Sequence, residues 1–453
     1  RKTGRARLRS ALVVAIPAVT IVVAIPLVRV YEIPLVGPGF DVEELTRPVP
    51  PEQQETLALY ERANDELRQS YEQFSTKDGV PTQAWESARR KAEEQAVTLA
   101  LEASRRPLFP ITASDPEEEI NLGDLVFASG KRLESEGKLD AALDRYVAAE
   151  RIALSFQEHW HAHHLEMRVR EQLVQWVAQS GQTSQRALQA VRSMEQLWRN
   201  PPSYSDAIKH EYLQARRFLE GDPVPSKYQY RYDKDSNAFL RWFPWERARA
   251  LRLLNKLTAE KLARYRKTEE ALAAGGFVDQ PSDENVSPAL YRDITYTIVR
   301  PMITPFTRIV VDGRGRASGY LGDSFIVVET HRRATVLILA LEAWKLEHGG
   351  LPKSLEALKG KYLDQLPVDP YRGSPFMYEP KGIAQYLVWW TPDSSSAETF
   401  GPGQPFLACD SWTTLPHGTG SEDNLGMPKP PEDSVGGSPR TELWERVWVF
   451  AIP

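Results

Sequence analysis

The pattern of apolar and polar positions divides the chain into three parts. They are an uncharged opening run, a long stretch with helical spacing, and a final stretch where one buried-looking helix gives way to short strand-like runs. The opening run is Ala11 to Val28, ALVVAIPAVTIVVAIPLV. At ~1.5 Å per residue it spans ~27 Å, close to the hydrocarbon thickness of a bilayer. After it, Leu57, Tyr60, Asn64, Leu67, Tyr71 and Phe74 recur at alternating steps of three and four, one stripe of a helix that begins near Pro51. The stripe covers less than three heptads, so it predicts packing within a helical domain. Asn64 on the stripe also admits a dimeric coiled coil. Further helices are predicted at 82–105, 158–180, 183–199, 203–220 and 245–274. Arg199-Asn-Pro-Pro and Gly221-Asp-Pro-Val-Pro punctuate them.

From Thr330 the pattern changes again. Val336, Ile338, Leu339, Leu341 and Trp344 predict a largely buried helix, stopped by Gly349-Gly350. Leu355, Leu358, Tyr362 and Leu363 predict a short second helix. Strands are predicted at Phe376-Met377-Tyr378, at Tyr386 to Trp390 and at Val447 to Ile452. Between them, "LPVDPYRGSPFMY" (366–378) combines Pro367, Pro370 and Gly373 with aromatic residues. It predicts a stiff turn that sets how the chain enters a sheet, rather than a catalytic loop.

Charge gives the opening run an orientation. Arg1, Lys2, Arg5, Arg7 and Arg9 precede it, and Glu32, Asp41, Glu43 and Glu44 follow it. The excess of cations on the N-terminal side predicts a single-pass anchor with a cytoplasmic N-terminus and the bulk of the chain outside. Arg29 can snorkel and Tyr31 suits the interface. Pro17 and Pro26 fit a membrane helix that packs against other subunits. The other reading, a cleaved signal peptide, lacks an A-x-A-like site in RVYEIPLVGPGF. Residues before Arg1 are expected.

Composition narrows the classes of function. The net charge of −5 gives no overall basic footprint for nucleic acid. Cys409 is the only cysteine, which excludes an intrachain disulfide, a Cys₂His₂ finger, a CxxC pair and a CxxCH haem site. His159, His161, His163 and His164 cluster in HWHAHH, but Trp160 stands where an HExxH motif needs glutamate. The cluster reads as a helix face, with metal binding or pH sensing through it as a separate reading. RIVVDGRGRASGYLG (308–322) has Gly313 and Gly315 but Ser318 where G-x-G-x-x-G needs glycine, so it reads as a connector. Glu117, Glu118 and Glu119 read as a charged surface run. No catalytic, cofactor-binding or metal-ligating residue is assigned, and no cofactor is implied.

Two resemblances follow from these residues. In KRLESEGKLDAALDRYVAAERIAL, Gly137, Ala142, Leu143, Tyr146 and Ala149 give residues 131–155 a weak resemblance to one tetratricopeptide repeat: a turn at glycine, then small residues that let two helices approach. The helix ending in EHGGLP, the SLEAL turn and DPYRGSPFMY, in that order, resemble the globular module of type II secretion major pseudopilins. That resemblance implies an α+β unit with one helix on a small antiparallel sheet, acting as a structural subunit. The family's calcium loop is not recognisable in residues 391–412, where Asp393, Glu398 and Asp410 are candidate ligands and a solvated loop is the other reading. A pseudopilin's membrane helix is continuous with this helix; here about three hundred residues intervene.

The expected fold is mainly α with a C-terminal α+β module. Its parts are an anchor (1–33), a linker (34–50), a helical domain with one repeat-like hairpin (51–275), a connector (276–325) and a pseudopilin-like module (326–453). The expected protein is a non-enzymatic, single-pass protein of a bacterial inner membrane with a periplasmic body. It would serve as a scaffold or accessory subunit that meets the lipid bilayer and other protein subunits but no nucleic acid. The alternative is an anchored envelope hydrolase whose site is assembled from distant residues.

Overall fold

A computed structural model describes residues 35–45, 50–74, 83–107, 116–156, 160–199, 203–220, 244–274, 328–370, 373–382, 386–390, 397–400, 403–409, 440–443 and 448–453. The expected span Ala11–Val28 and the glycine-bearing stretch 308–322 lie outside them. Among the described residues no helix is long and apolar enough to cross a membrane. The described chain is mostly helical, with a small three-stranded antiparallel sheet. The helices are α1 (Val42–Leu45), α2 (Pro51–Phe74), α3 (Gln83–Ser104), α4 (Pro116–Ser135), α5 (Leu139–Ser155), α6 (Trp160–Val177), α7 (Ser184–Trp198), α8 (Tyr204–Glu220), α9 (Pro244–Ala273) and α10, residues 328–348. The strands are β1 (Met377–Glu379), β2 (Tyr386–Trp390), β3 (Ala397–Phe400), β4 (Phe406–Cys409), β5 (Arg440–Leu443) and β6 (Trp448–Ala451).

Proline opens α2, α4 and α9, where its missing N–H costs nothing. Thr183 caps α7 by accepting from the Arg186 N–H at 3.2 Å. Gly137, at φ +73°, ends α4: its N–H bonds the Glu134 carbonyl and that of Lys138 bonds the Leu133 carbonyl, both at 2.9 Å. Gly349, at φ +78°, ends α10 in the same left-handed way. Helices α4 and α5 pack side by side across the Gly137 turn.

Contacts group the chain into two compact units. One comprises Arg1–Pro48, Ser205–Lys267 and Ser282–Gly322; the other comprises Val49–Tyr204, Thr268–Pro281 and Asp323–Pro453. These lines differ from the linear division into 51–275 and 326–453. The difference has a physical cause: α10 buries charge jointly with the helices before residue 200, as described below. In the first unit, Tyr212, Ala215 and Leu219 of α8 meet Leu254 of α9, and Phe40 and Val42 pack against them. The Phe40 ring meets Tyr212 edge-on at 5.2 Å.

In the second unit, α2 to α6 pack successively on one another, and α7 packs on α5. Tyr60, Asn64 and Leu67 of the α2 stripe are buried, and Tyr60 meets Phe156 edge-on at 5.8 Å. Tyr71 is 50% exposed, contrary to its expected place on the stripe. A strict alternation of three and four drifts ~20° per heptad around a straight helix, which turns the far end of the stripe off the buried face. Polar ties cross this array. Glu94 of α3 accepts from Arg132 of α4 and Arg145 of α5, each at 2.9 Å. Arg151 bonds the Ser104 and Arg106 carbonyls at the end of α3, where the helix dipole favours a cation.

The C-terminal strands form two sheets. β1, β4 and β6 are antiparallel, with β4 central. In the order β3-β2-β5, β2 is antiparallel to β3 and parallel to β5, so this second sheet is mixed where only an antiparallel one was expected. Residues 391–412 are not one loop: they contain β3 and β4. All four residues of β4 are buried, so its sequence FLAC shows no alternation, and a four-residue apolar run amid Gly and Pro gives no periodic signal. The expected short helix after α10 is a single 3₁₀ turn, Leu355–Leu358, though Tyr362 and Leu363 are buried as expected.

Close helix approach depends on Gly130. A Cβ there would sit 2.6 Å from the ring of Tyr146, whose hydroxyl is tied to Glu134. At Gly123 the clash is with the free end of the Leu165 side chain, which can yield. Alanine gains up to ~1 kcal/mol of helix propensity over glycine, whereas overpacking a fixed ring costs ~1–3 kcal/mol. Gly130→Ala is therefore expected to lower stability in urea unfolding, and Gly123→Ala to do so less. Equal or raised stability for Gly130→Ala would contradict this packing.

Candidate functional site

The most concentrated buried chemistry lies where α5, α6, α7 and α10 meet. Glu150 of α5, Glu166 and Arg170 of α6 and Arg332 of α10 are all buried. Glu166 and Arg170 lie four residues apart on α6, alongside the buried Ala162, Leu165, Val169 and Leu173. Helix spacing thus turns both charges inward with the apolar stripe. Arg170 pairs with Glu166 and, at 3.4 Å, with Glu150. It also donates to the Val328 carbonyl at 3.1 Å, at the first turn of α10. Arg332 returns the tie by donating to Glu166 at 3.3 Å. Trp198 of α7 donates to Glu150 at 2.9 Å, and its ring lies 5.5 Å from the Arg170 guanidinium.

Two carboxylates face two guanidinium groups, so the buried charge balances. That balance decides whether such a cluster is tolerated: an unmatched buried ion costs several kcal/mol, whereas a matched and hydrogen-bonded set roughly breaks even. In this cluster the Val328 carbonyl and Glu166 are the groups through which the two arginines join α6 and α10. Next to it, Arg333 donates to the Val368 carbonyl at 2.8 Å and to the Leu272 carbonyl at 3.1 Å, and pairs with Glu329 at 2.8 Å. Residues 334–343 are all buried, so α10 is enclosed on every side over that length.

His331 sits beside this cluster and meets Phe450 of β6 edge-on at 5.0 Å. The residue keeps some exposure, but its Nε2 is closed off from solvent. Burial, and then the neighbouring Arg170 cation, push its pKa down to about 3. The folded ring therefore stays neutral at ordinary pH. Its neutral packing helps tie α10 to the sheet.

The stretch 366–378 braces the same region. The Gly373 N–H donates to the Asp369 carbonyl and the Asp369 N–H to the Ser374 carbonyl, both at 2.8 Å. Gly373 holds φ +65°, the left-handed backbone that favours glycine. Asp369, Pro370 and Phe376 are buried, and the Tyr378 hydroxyl donates to the Pro352 carbonyl at 2.9 Å. Burial raises the Tyr378 pKa to about 12, so the hydroxyl remains a donor. The turn closes a hairpin next to the Val368 carbonyl that Arg333 holds.

His161 and His163 lie on α6, and their side chains are outside the described ones. His159 lies outside the described residues, and His164 is exposed on α6. Asp393 and Asp410 also lie outside them; Glu398 falls on β3, opposite Trp389. Glu117, Glu118 and Glu119 stand in the first turn of α4. Cys409 is buried on β4. Among the described residues no group of three or more His, Cys, Asp or Glu is arranged to hold a metal ion. The sequence reading missed the ion cluster altogether. Its signal was present: Glu166 and Arg170 interrupt an apolar helical stripe, and His331-Arg332-Arg333 precedes a run enclosed on all sides. No family model matches the chain, and no curated protein or solved structure matches it at a significant level.

Removing one ion from the cluster leaves others buried and unpaired. Arg170→Met is expected to cost about 3–5 kcal/mol in urea unfolding at pH 7, and adding Glu150→Gln, which neutralises the carboxylate left without its cation while Glu166 keeps Arg332, to recover part of it. A loss below about 1 kcal/mol, the level of a surface pair, would contradict the burial.

His331 gives a pH dependence. Its folded pKa lies below the unfolded value of 6.5, so below pH 6.5 the unfolded state binds the extra proton. The stability linked to neutral His331 is intact above pH 6.5 and is lost as pH falls toward 3, approaching about 1.4 kcal/mol per pH unit. Comparing unfolding of the unmodified chain and His331→Phe from pH 7.5 to 5 should show a steeper loss in the unmodified chain. Parallel curves would exclude the effect.

Proposed function

We propose that this chain is a non-enzymatic, membrane-anchored scaffold or accessory subunit of a larger envelope assembly, held by the span Ala11–Val28 with its body on the outer side of the inner membrane. The observation that carries the reading is the enclosure of α10. One end is tied by Arg332 and the Val328 carbonyl to α6, and His331 rests on β6. The helix and sheet elements that resemble a pseudopilin module are thus built into a helical array with one repeat-like hairpin. Charged side chains that could serve catalysis elsewhere are used here to join helices: Glu150, Glu166, Arg170 and Arg332 bond one another. A joined array and module give a stiff platform, which is what a subunit that positions its neighbours requires. The fit to type II secretion rests on the resemblance of residues 326–453 alone.

Purification from membranes in mild detergent, followed by mass spectrometry, tests this reading. A fixed set of membrane proteins should co-purify with the unmodified chain and be lost with Arg170→Met in proportion to unfolding. Recovery of the chain alone, with a hydrolytic turnover abolished by one substitution that leaves stability unchanged, would replace the scaffold with the enzyme alternative.

A further inference from the structure

The first unit carries a surface that the scaffold reading does not use. Leu35 is 77% exposed and Val36 is 39% exposed, two of the large apolar side chains open to solvent among the described residues. They are held against α9: the Val36 carbonyl accepts from Asn255 at 3.0 Å, and Asn255 in turn accepts from the Tyr212 hydroxyl at 2.8 Å. Three residues on, Gly39 at φ +84° lies so close to α9 that a Cβ would meet the Ala259 backbone at 3.3 Å. Its carbonyl accepts from Arg266 at 3.5 Å. The chain therefore runs along α9 from Asn255 toward Arg266, with its open apolar pair at the Asn255 end.

Helix α9 is strongly basic there. Between Pro244 and Lys267 the sequence has eight lysines and arginines against two glutamates. Arg247, Arg252 and Lys256 are part-exposed, and Lys256 is held only loosely by Glu260 at 3.9 Å. Six residues separate Val28, the end of the apolar run, from Leu35. Fully extended, that link reaches ~20–25 Å, so the docked segment cannot stand far from a bilayer spanned by Ala11–Val28. An exposed apolar pair beside a basic helix, tethered this closely, matches an interfacial contact: apolar side chains at the acyl boundary and cations among the headgroups.

We propose that Leu35 and Val36, with Arg247, Arg252 and Lys256 of α9, form a contact surface for anionic phospholipid headgroups that seats the first unit on the membrane. The proposal rests on the reading of Ala11–Val28 as a span. Its test reads the two separately. The full chain is reconstituted into nanodiscs of phosphatidylcholine, alone or mixed with phosphatidylglycerol, and followed by hydrogen exchange. Co-elution with either disc reports the span. Exchange of residues 35–45 and 247–256 reports the contact, and should slow about fivefold or more on the mixed discs, an effect abolished by high salt. Arg252→Gln with Lys256→Gln should remove it, and so should Leu35→Ser with Val36→Ser, whose side chains are open and whose backbone bonds are kept. Co-elution with identical exchange on both discs overturns the contact and leaves the span. Failure to co-elute, with salt-sensitive binding to phosphatidylglycerol vesicles, removes the span and keeps the contact. Failure in both overturns both.

Discussion

The joining of α6 to α10 through buried, balanced charge is the constraint on which the second unit depends. A pair of ions is expensive to bury, and the cost is met only if partners arrive from separate parts of the chain. Glu150 comes from α5, Glu166 and Arg170 from α6, and Arg332 from α10, more than 160 residues farther along. None of these helices can leave without stranding a charge on another. The arrangement explains why regions that look like separate domains in the sequence form one compact unit.

The surrounding structure supports that junction from both sides. On one side, the array is cross-tied by Glu94 to Arg132 and Arg145, and by Arg186 of α7 to Asp140 of α5 at 2.8 Å. Trp176 of α6 donates to the Leu139 carbonyl at 3.1 Å, fixing α6 against the start of α5. On the other side, Phe450 covers His331, and Lys345 reaches the Pro453 carbonyl at 2.6 Å. The Gly373 turn then holds Val368 where Arg333 can bond it. Val368 thus offers the backbone carbonyl that receives an α10 arginine.

How much of this was legible in the sequence depended on range. Helices with strong periodicity and clear stops, such as 183–199 and 203–220, correspond closely to α7 and α8. The hairpin turn at Gly137 was legible because glycine and the small residues after it are a local signal. The strand β4 was not, because a four-residue strand buried on all sides has no alternation to read. The ion cluster was legible only in part: Glu166 and Arg170 interrupt an apolar stripe, but tertiary packing alone brings Glu150 and Arg332 to them. Gly130 was missed for the same reason: its role is set by the Tyr146 ring on the next helix, not by its own helix.

If the unit is one body because of the junction, α6 and α10 must open together. Native-state hydrogen exchange of the full chain tests this most directly. The slowest amides of 161–177 and 334–343 should share one opening free energy, and Glu166→Gln should lower both by the same amount. If 334–343 exchanged through a separate, lower-energy opening while 161–177 stayed protected, and Glu166→Gln changed only one of them, the two regions would be independent and the account would be wrong.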